Sequence, residues 1–241
     1  LLQWAGIEAE RAAWTAAVIA LLVGVALVVW SARLMFPPGT LRLRRGLPSV
    51  IAFRGVIAGG FFGCQAYVPL MLVSHRGASP TLAGLAVAGT ALGWSAGSWW
   101  QGRPTLRTRR SGLVRQGSVV TAVGVLVTGS AAIVTSQLVV PAWVAGVGLM
   151  IGGLGMGLSM SSNAVLLFDF SPVEDRGANS AAIQMSDSLG GILVIGAAGV
   201  VYAIWRDALS GTALFGAIFA ISLLVMLLAV AVAYRVRPQE H

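Results

Sequence analysis

The sequence predicts an all-α membrane protein with about seven transmembrane helices. Composition favours this fold class, because 57% of the 241 residues are hydrophobic and only 10% are charged. Soluble domains carry about 25% charged residues, so this chain has too few to cover a water-soluble surface. No stretch alternates between polar and apolar residues as a strand would, and an open sheet could not pair its backbone in lipid.

Charge-free stretches of about 20 residues mark the candidate spanning helices. The first three are residues 12–32, 55–74 and 77–102. The third is expected to begin near Thr81, because the residue before Pro80 is biased away from helix.

The remaining four spans follow from the same criterion. Residues 116–168 contain no charge, which leaves room for a fourth and a fifth span. The break between them is expected at residues 135–141, because Pro141 is suited to the first turn of a helix. After a charged loop, the sixth and seventh spans are expected at residues 177–205 and 209–234.

Arginine is distributed unevenly between alternate loops of this threading. All 16 basic residues are Arg, and twelve of them fall on one side, three on the other and Arg54 within a span. The twelve are Arg33, Arg42, Arg44, Arg45, Arg103, Arg107, Arg109, Arg110, Arg115, Arg176, Arg235 and Arg237. Cytoplasmic loops carry the excess of basic residues. The bias therefore predicts a plasma-membrane protein whose N-terminus is outside and whose C-terminus is cytoplasmic.

The net charge of +8 does not indicate nucleic-acid binding, since the Arg clusters lie between apolar runs and are suited to lipid headgroups. The expected partner is the lipid bilayer. Residues 1–6 look like the end of a hydrophobic segment, so we expect a fragment that lacks its N-terminal half. Its expected parts are residues 1–46 (one span and a basic cytoplasmic linker), a six-helix bundle at 47–237 and a cytoplasmic tail at 238–241.

Glycine recurs every fourth residue in two spans. The second span has Gly55, Gly59 and Gly63, and the third has Gly89, Gly93 and Gly97. This spacing places each trio on one helix face, where a neighbouring backbone can approach closely. The faces serve either tight packing or sliding during a conformational cycle, and glycine spacing does not separate the two.

Asp187 is the main candidate functional residue. It lies eleven residues after Arg176, or about 16 Å along a helix, near the middle of a hydrocarbon core about 30 Å thick. Gln184 and Ser188 lie beside it. A carboxylate at this depth must be paired, hydrated or protonated. Asp187 is therefore expected to couple protons or bind a cation, to pair structurally, or to occupy a shallow hydrated position.

Three further side chains are candidates for the same site. Arg54 either reaches the headgroups or faces inward as a partner of Asp187 or of an anionic substrate. Gln65 lies deeper in that span and could supply a neutral hydrogen bond. Asn163 ends a polar stretch of the fifth span, which predicts either a water-accessible cavity or hydrogen bonds between helices.

No catalytic chemistry is predicted. The chain has two His, one Cys and no Lys, so neither a metal cluster, a Ser-His-Asp set nor a phosphate-binding loop with Lys can be assembled. Neither an enzyme nor a cofactor is expected.

Two segments carry a resemblance to the C-terminal half of the major facilitator superfamily. The run from Pro172 to Arg176 and Gly177 is similar to the Pro-x-x-x-Arg-Gly segment before the eleventh core helix of that family. The run from Gly97 through Gln101 to Arg103 resembles the cytoplasmic loop motif after the eighth, although the family usually has Asp where Gln101 stands.

The resemblance implies a secondary transporter that works by alternating access, with the last six spans as its C-terminal bundle. The sequence is more similar to drug/proton antiporters, including the fourteen-span type, than to sugar importers. The expected partners are then protons, a small hydrophobic or cationic substrate and the missing N-terminal half. The alternatives are an importer of sugars or metabolites and a non-transporting receptor or assembly subunit on a transporter-like fold.

Overall fold

The computed structural model describes residues 36–103 and 108–237, together with Gly24 and Trp30. The chain forms two compact units, Leu1–Pro38 and Gly39–His241. The predicted first span lies outside the described residues except for Gly24 and Trp30, which are helical and exposed. The predicted tail at 238–241 also lies outside them.

Six long α-helices make up the described part of the second unit. They are α1 (Leu47–Leu70), α2 (Pro80–Gln101), α3 (Arg110–Ser130), α4 (Val144–Phe170), α5 (Arg176–Trp205) and α6 (Gly211–Ala233). A π-helical turn, Met71–His75, continues α1, and a 3-10 turn, Val173–Asp175, precedes α5. Within the described ranges there is no strand, and one isolated bridge joins Val134 to Val139. The predicted all-α class is confirmed.

Five of these six helices are long and apolar enough to cross a membrane, which indicates a membrane protein. The exception is α2, which is long enough with 22 residues. Its Gly and Ser residues and its last three residues, Trp99, Trp100 and Gln101, lower its hydropathy.

Three helix boundaries differ from those expected. Helix α1 begins at Leu47 and α3 at Arg110, each earlier than the charge-free stretches indicated. An Arg at a helix end does not stop the helix, because its long side chain can reach past the apolar surface. Arg115, for example, lies with its guanidinium 5.5 Å from the ring centre of Tyr234. Helix α4 begins at Val144 rather than at Pro141, which lies in the preceding turn.

Helices α1 and α4 form the centre of the bundle and run antiparallel. Arg54 near the start of α1 contacts Met160 in the second half of α4, and Phe61 lies against Gly152 in its first half. Each central helix has two main neighbours: α1 packs on α5 and α6, and α4 packs on α2 and α3. Helices α3 and α6 close the arrangement by packing on each other.

The helix packing contains an internal repeat. In it, α1 corresponds to α4, α2 to α5 and α3 to α6. The contact of α1 with α5 then corresponds to that of α4 with α2, and both pairs run parallel. The contact of α1 with α6 corresponds to that of α4 with α3, and both pairs run antiparallel. Because α1 and α4 run in opposite directions, the two three-helix units have inverted orientations.

Small residues make the parallel contacts close, as the glycine spacing predicted. A Cβ on Gly59 would lie 2.7 Å from the carbonyl oxygen of Gly190 in α5. In α2, a Cβ on Gly93 would overlap the carbonyl of Met150, and one on Gly97 would overlap the carbonyl of Leu154. The predicted close approach of neighbouring backbones is therefore confirmed for both helices, while sliding along these faces remains a prediction.

The loops sort to two ends of the bundle. At one end, His75 Nε2 lies 2.9 Å from the carbonyl oxygen of Ala132, and Thr212 donates to the carbonyl of Val134 over 3.0 Å. At the other, Arg235 donates to the carbonyl of Leu43 over 3.2 Å. We call these the His75 end and the Leu43 end.

Candidate functional site

The site is built around an ion pair between α1 and α5. Arg54 Nε lies 3.4 Å from Asp187 Oδ1, and the two side chains are 17% and 26% exposed. Neither of these two atoms makes a hydrogen bond with proper geometry to any described residue. The structure therefore brings together the two charged candidates from the sequence in a pair that is close but not locked by hydrogen bonds.

Backbone packing explains why the pair forms. Helices α1 and α5 run parallel, and the register that places Gly55 against Ser186 places the adjacent residues Arg54 and Asp187 side by side. Because Gly55 has no side chain, the α5 backbone approaches α1 closely, and the hydroxyl of Ser186 reaches the carbonyl oxygen of Ile51 at 2.7 Å. Small residues between α1 and α5 thus allow the two charged side chains to lie side by side.

Helix α4 contributes a third wall. Arg54 Nη1 donates to the carbonyl oxygen of Met160 over 3.4 Å, and Asn163 Nδ2 donates to the carbonyl oxygen of Val50 over 3.2 Å. Asn163 is fully buried, and its Oδ1 atom has no hydrogen-bond partner among the described residues. We call Arg54, Asn163, Ser186 and Asp187, which join α1, α4 and α5, the polar junction.

The junction opens on one side. Gln184 and Ser188, which flank Asp187 in sequence, are both exposed, while Asn163 and Ser186 are buried behind the pair. Among the five apolar helices, α5 buries the smallest share of its residues. Polar residues within a span face protein or water more often than lipid. The side of α5 that carries Gln184 and Ser188 is therefore a surface for another protein part or for water.

Gln65 is not part of the polar junction. It lies eleven residues after Arg54, about 16 Å along α1, and its Nε2 donates to Thr90 Oγ1 in α2 over 3.0 Å. The structure thus gives Gln65 a bond between helices, and it does not bring this side chain to Asp187.

The motif residues lie at the Leu43 end, and they form separate contacts. Gly97 packs on Leu154, and Gln101 accepts hydrogen bonds from Arg110 through its backbone carbonyl and its side chain. The Arg103 guanidinium lies 3.9 Å from the ring centre of Trp99. Arg176 donates to the carbonyl of Phe168 over 3.5 Å, and the neighbouring Gly177 is exposed. Residues 104–107 lie outside the described ranges.

Ser186 is the site residue that the sequence analysis missed. The signal for it was present, because Ser186 and Gly190 lie four residues apart and form a small-residue face of the kind recognised for glycine trios. The Met160 carbonyl had no such signal, since any residue supplies a backbone oxygen.

The charges present at the junction can bind and release ions or protons. Asp187 can hold a proton or a cation, and Arg54 can hold an anion. No group of three His, Cys, Asp or Glu side chains that could hold a metal ion occurs among the residues that the structure describes. The chain matches no family model and no curated protein in comparisons of its sequence.

Proposed function

We propose that this chain forms a six-helix half of a secondary active transporter that moves a small molecule by alternating access. The observation that carries the proposal is the pair of three-helix units with matching contacts and inverted orientations. Inverted repeats of three helices are typical of secondary transporters, including each half of the major facilitator fold. In such proteins the substrate site lies near the bilayer midplane. The polar junction lies toward the Leu43 end of the bundle, since Arg54 is seven residues, about 10 Å, from the start of α1.

The family that we propose is the major facilitator superfamily, with α1–α6 as the C-terminal bundle of a drug/proton antiporter-like protein. The motif residues at the Leu43 end support this assignment. The residue that departs from the family pattern, Gln101, has a neutral side chain that binds Arg110. Gln101 does not support the assignment, because a neutral amide cannot form the ion pair that Asp at this position would imply.

Asp187 is the proposed proton-coupling residue. It is the only acidic residue inside any described helix away from its ends, and its pair with Arg54 leaves one face open. A carboxylate that can exchange its ion-pair partner for a proton suits a coupling role, because its own charge is compensated in both forms.

The proposed placement is the plasma membrane, with the Leu43 end in the cytoplasm. Ten of the twelve Arg residues that the threading assigned to the cytoplasm lie within the described ranges, at or near this end. A second, N-terminal half is the proposed partner that would cover the exposed side of α5.

Proton-driven flux in proteoliposomes tests this function. The full-length protein that contains the chain is reconstituted with a pH-sensitive dye inside, a pH gradient is imposed, and drug-like compounds are added. We expect compound-dependent dissipation of the gradient in the wild type and loss of that signal in Asp187→Asn. Asp207→Asn removes an exposed loop carboxylate and is the control, with wild-type flux expected. Wild-type flux in Asp187→Asn would remove the coupling role.

A further inference from the structure

We propose that the polar junction binds an anionic group of the cargo on Arg54, and that Asp187 takes up a proton as the anion replaces it. The cargo class is a small hydrophobic monocarboxylate or a compound of equivalent charge. This inference rests on the proposed transport function and names the chemistry of its substrate site.

The two members of the pair differ in whether they can lose their charge. A carboxylate becomes neutral by binding one proton, whereas a guanidinium stays protonated in proteins. When Asp187 is protonated, Arg54 remains a cation within a span, at 17% side-chain exposure. Because an uncompensated charge in this environment is strongly unfavourable, the protonated state requires an anion beside Arg54.

The charges balance through the exchange. Before it, the Arg54 cation and the Asp187 anion compensate each other. Afterwards, Asp187 has gained a proton from hydronium or buffer in the solvent, and the cargo carboxylate compensates Arg54, so the junction is again neutral. The only covalent change is that one O–H bond forms on Asp187 as the proton donor loses one. A cationic cargo has no such route, because it would share one carboxylate with an Arg that cannot be discharged.

No other charge in the surrounding helices can take over the role of either residue. Helix α6 has no charged residue, and α4 has only Asp169, beside its last residue at the Leu43 end. The continuation of α1 ends at His75, at the opposite end of the bundle. Within the described ranges, the charges of Arg54 and Asp187 can therefore be compensated only by each other or by a bound ion.

The donors at Arg54 suit a carboxylate. A guanidinium has five N–H donors in a fork that matches two carboxylate oxygens. One Arg54 donor reaches the Met160 carbonyl, and the Nε atom facing Asp187 makes no well-formed hydrogen bond to a described residue. When a cargo carboxylate takes the place of Asp187 beside Arg54, a long ion pair is broken, and the guanidinium can form hydrogen bonds with better geometry to the cargo.

Neighbouring side chains define the rest of the cargo. Gln184 and Ser188 are exposed beside Asp187, and the amide NH2 group and the hydroxyl can each donate to a bound anion. Farther along α5 the exposed residues are apolar, with Ile192 at 65% and Leu193 at 42% exposure. One cation, two neutral donors and an apolar surface fit a single anionic group on a hydrophobic body. This differs from the cationic class, and from exchange against protons, that the resemblance to drug/proton antiporters implied, because here the anion and the proton are bound together.

Equilibrium binding of benzoate to the purified full-length protein tests the proposal without requiring transport. Radiolabelled benzoate is titrated in detergent over roughly pH 6–8, where a free carboxylate stays ionised, and proton uptake is followed with an indicator in weak buffer. We expect wild-type protein to take up one proton per benzoate and to bind more tightly as the pH falls.

Three variants separate the contributions. Asp187→Asn imitates the protonated acid, so we expect it to bind benzoate at least as tightly as the wild type, without proton uptake or pH dependence. Arg54→Gln should weaken binding by about tenfold or more, because the charge-assisted fork is lost. The double variant, which leaves no charge unpaired, should also fail to bind. Asp207→Asn is the matched control and should behave as the wild type.

Two results would overturn the proposal. The first is absence of benzoate binding in both the wild type and Asp187→Asn, and the second is benzoate binding that Arg54→Gln leaves unchanged. If proton-driven flux of another compound continues in either case, only the anion assignment is wrong. Tetraphenylphosphonium binding that releases a proton and disappears in Asp187→Asn would assign the site to cations instead.

Discussion

Two features reduce the stability of the ion pair between Arg54 and Asp187. Each charge is largely removed from water, and the 3.4 Å contact between them lacks hydrogen-bond geometry. Pairs of this kind contribute little net stability compared with apolar side chains of the same size, yet removing one partner leaves the other unpaired at full penalty. These properties support the switching role that we propose for the pair.

Thermal unfolding of single and double variants measures the difference between removing one member of the pair and removing both. We expect Asp187→Asn and Arg54→Gln each to lower the stability of the detergent-solubilised protein by about 1–3 kcal/mol, since each leaves a polar or charged group without its partner. The double variant Arg54→Gln/Asp187→Asn should be more stable than either single one.

The melting temperature of each variant, in a double-mutant cycle, gives the coupling between the two residues. The exposed loop pair of Arg206 and Asp207, at 59% and 88% side-chain exposure, is the matched control. Its variants should leave the melting temperature unchanged, because exposed pairs are weak. If the losses of stability at Arg54 and Asp187 instead add up in the double variant, the expectation that removing both partners costs less than removing one is wrong.

At the scale of single elements, glycine decides how near two helices lie. The contact between α2 and α4 is made backbone to backbone, with Gly93 and Gly97 against the carbonyls of Met150 and Leu154. The same device joins α1 to α5 through Gly55 and Gly59. Any side chain at these positions forces the helices apart, so the polar junction depends on residues that carry no chemistry themselves.

Alanine substitution within α2 tests this dependence with an internal control. Gly93→Ala places a methyl group into the Met150 carbonyl, and we expect a loss of about 1–3 kcal/mol, as for overpacking of a tight core. Gly84→Ala in the same helix meets nothing within 4 Å. It should be neutral or stabilising by up to about 1 kcal/mol, since Ala is the better helix former. Equal melting temperatures of the two variants would show that the close approach of α2 and α4 is not needed for stability.

At the scale of the whole molecule, the helix contacts place each connecting loop at one of two ends. The loop between α3 and α4 belongs to the His75 end through Ala132 and Val134, while Leu43, before α1, meets Arg235, after α6, at the other. If the helices cross a membrane, these ends lie on opposite sides of it. The Arg bias then predicts that the Leu43 end is cytoplasmic.

Cysteine labelling in intact cells tests this placement. Cys64, the one cysteine of the chain, is buried in α1 and serves as the unlabelled background. A membrane-impermeant maleimide should label Ser136→Cys in the loop between α3 and α4, and should label Thr108→Cys before α3 only after the cells are permeabilised. Labelling of both positions in intact cells would refute the predicted threading, and the reverse pattern would invert the orientation.

Much of the fold could be predicted because its signals are local. Charge-free runs indicate where all six described helices lie, since hydrocarbon favours helices of that length, and the start of α2 falls one residue from Thr81. The starts of α1 and α3 could not be placed, because a helix continues past an Arg that reaches water. The π-helical turn at Met71–His75 has no simple sequence signal.

For the candidate site, the sequence by itself determined which residues are unusual: a lone acid inside a long apolar run, a single Arg within a span and glycine every four residues. Only the tertiary structure decided which of them meet. It paired Arg54 with Asp187, assigned Gln65 to Thr90 instead, and added Ser186 and the Met160 carbonyl. The physical reason is that burial and helix periodicity are properties of one segment, whereas a contact between helices depends on register and crossing, which small residues far apart in the chain set together.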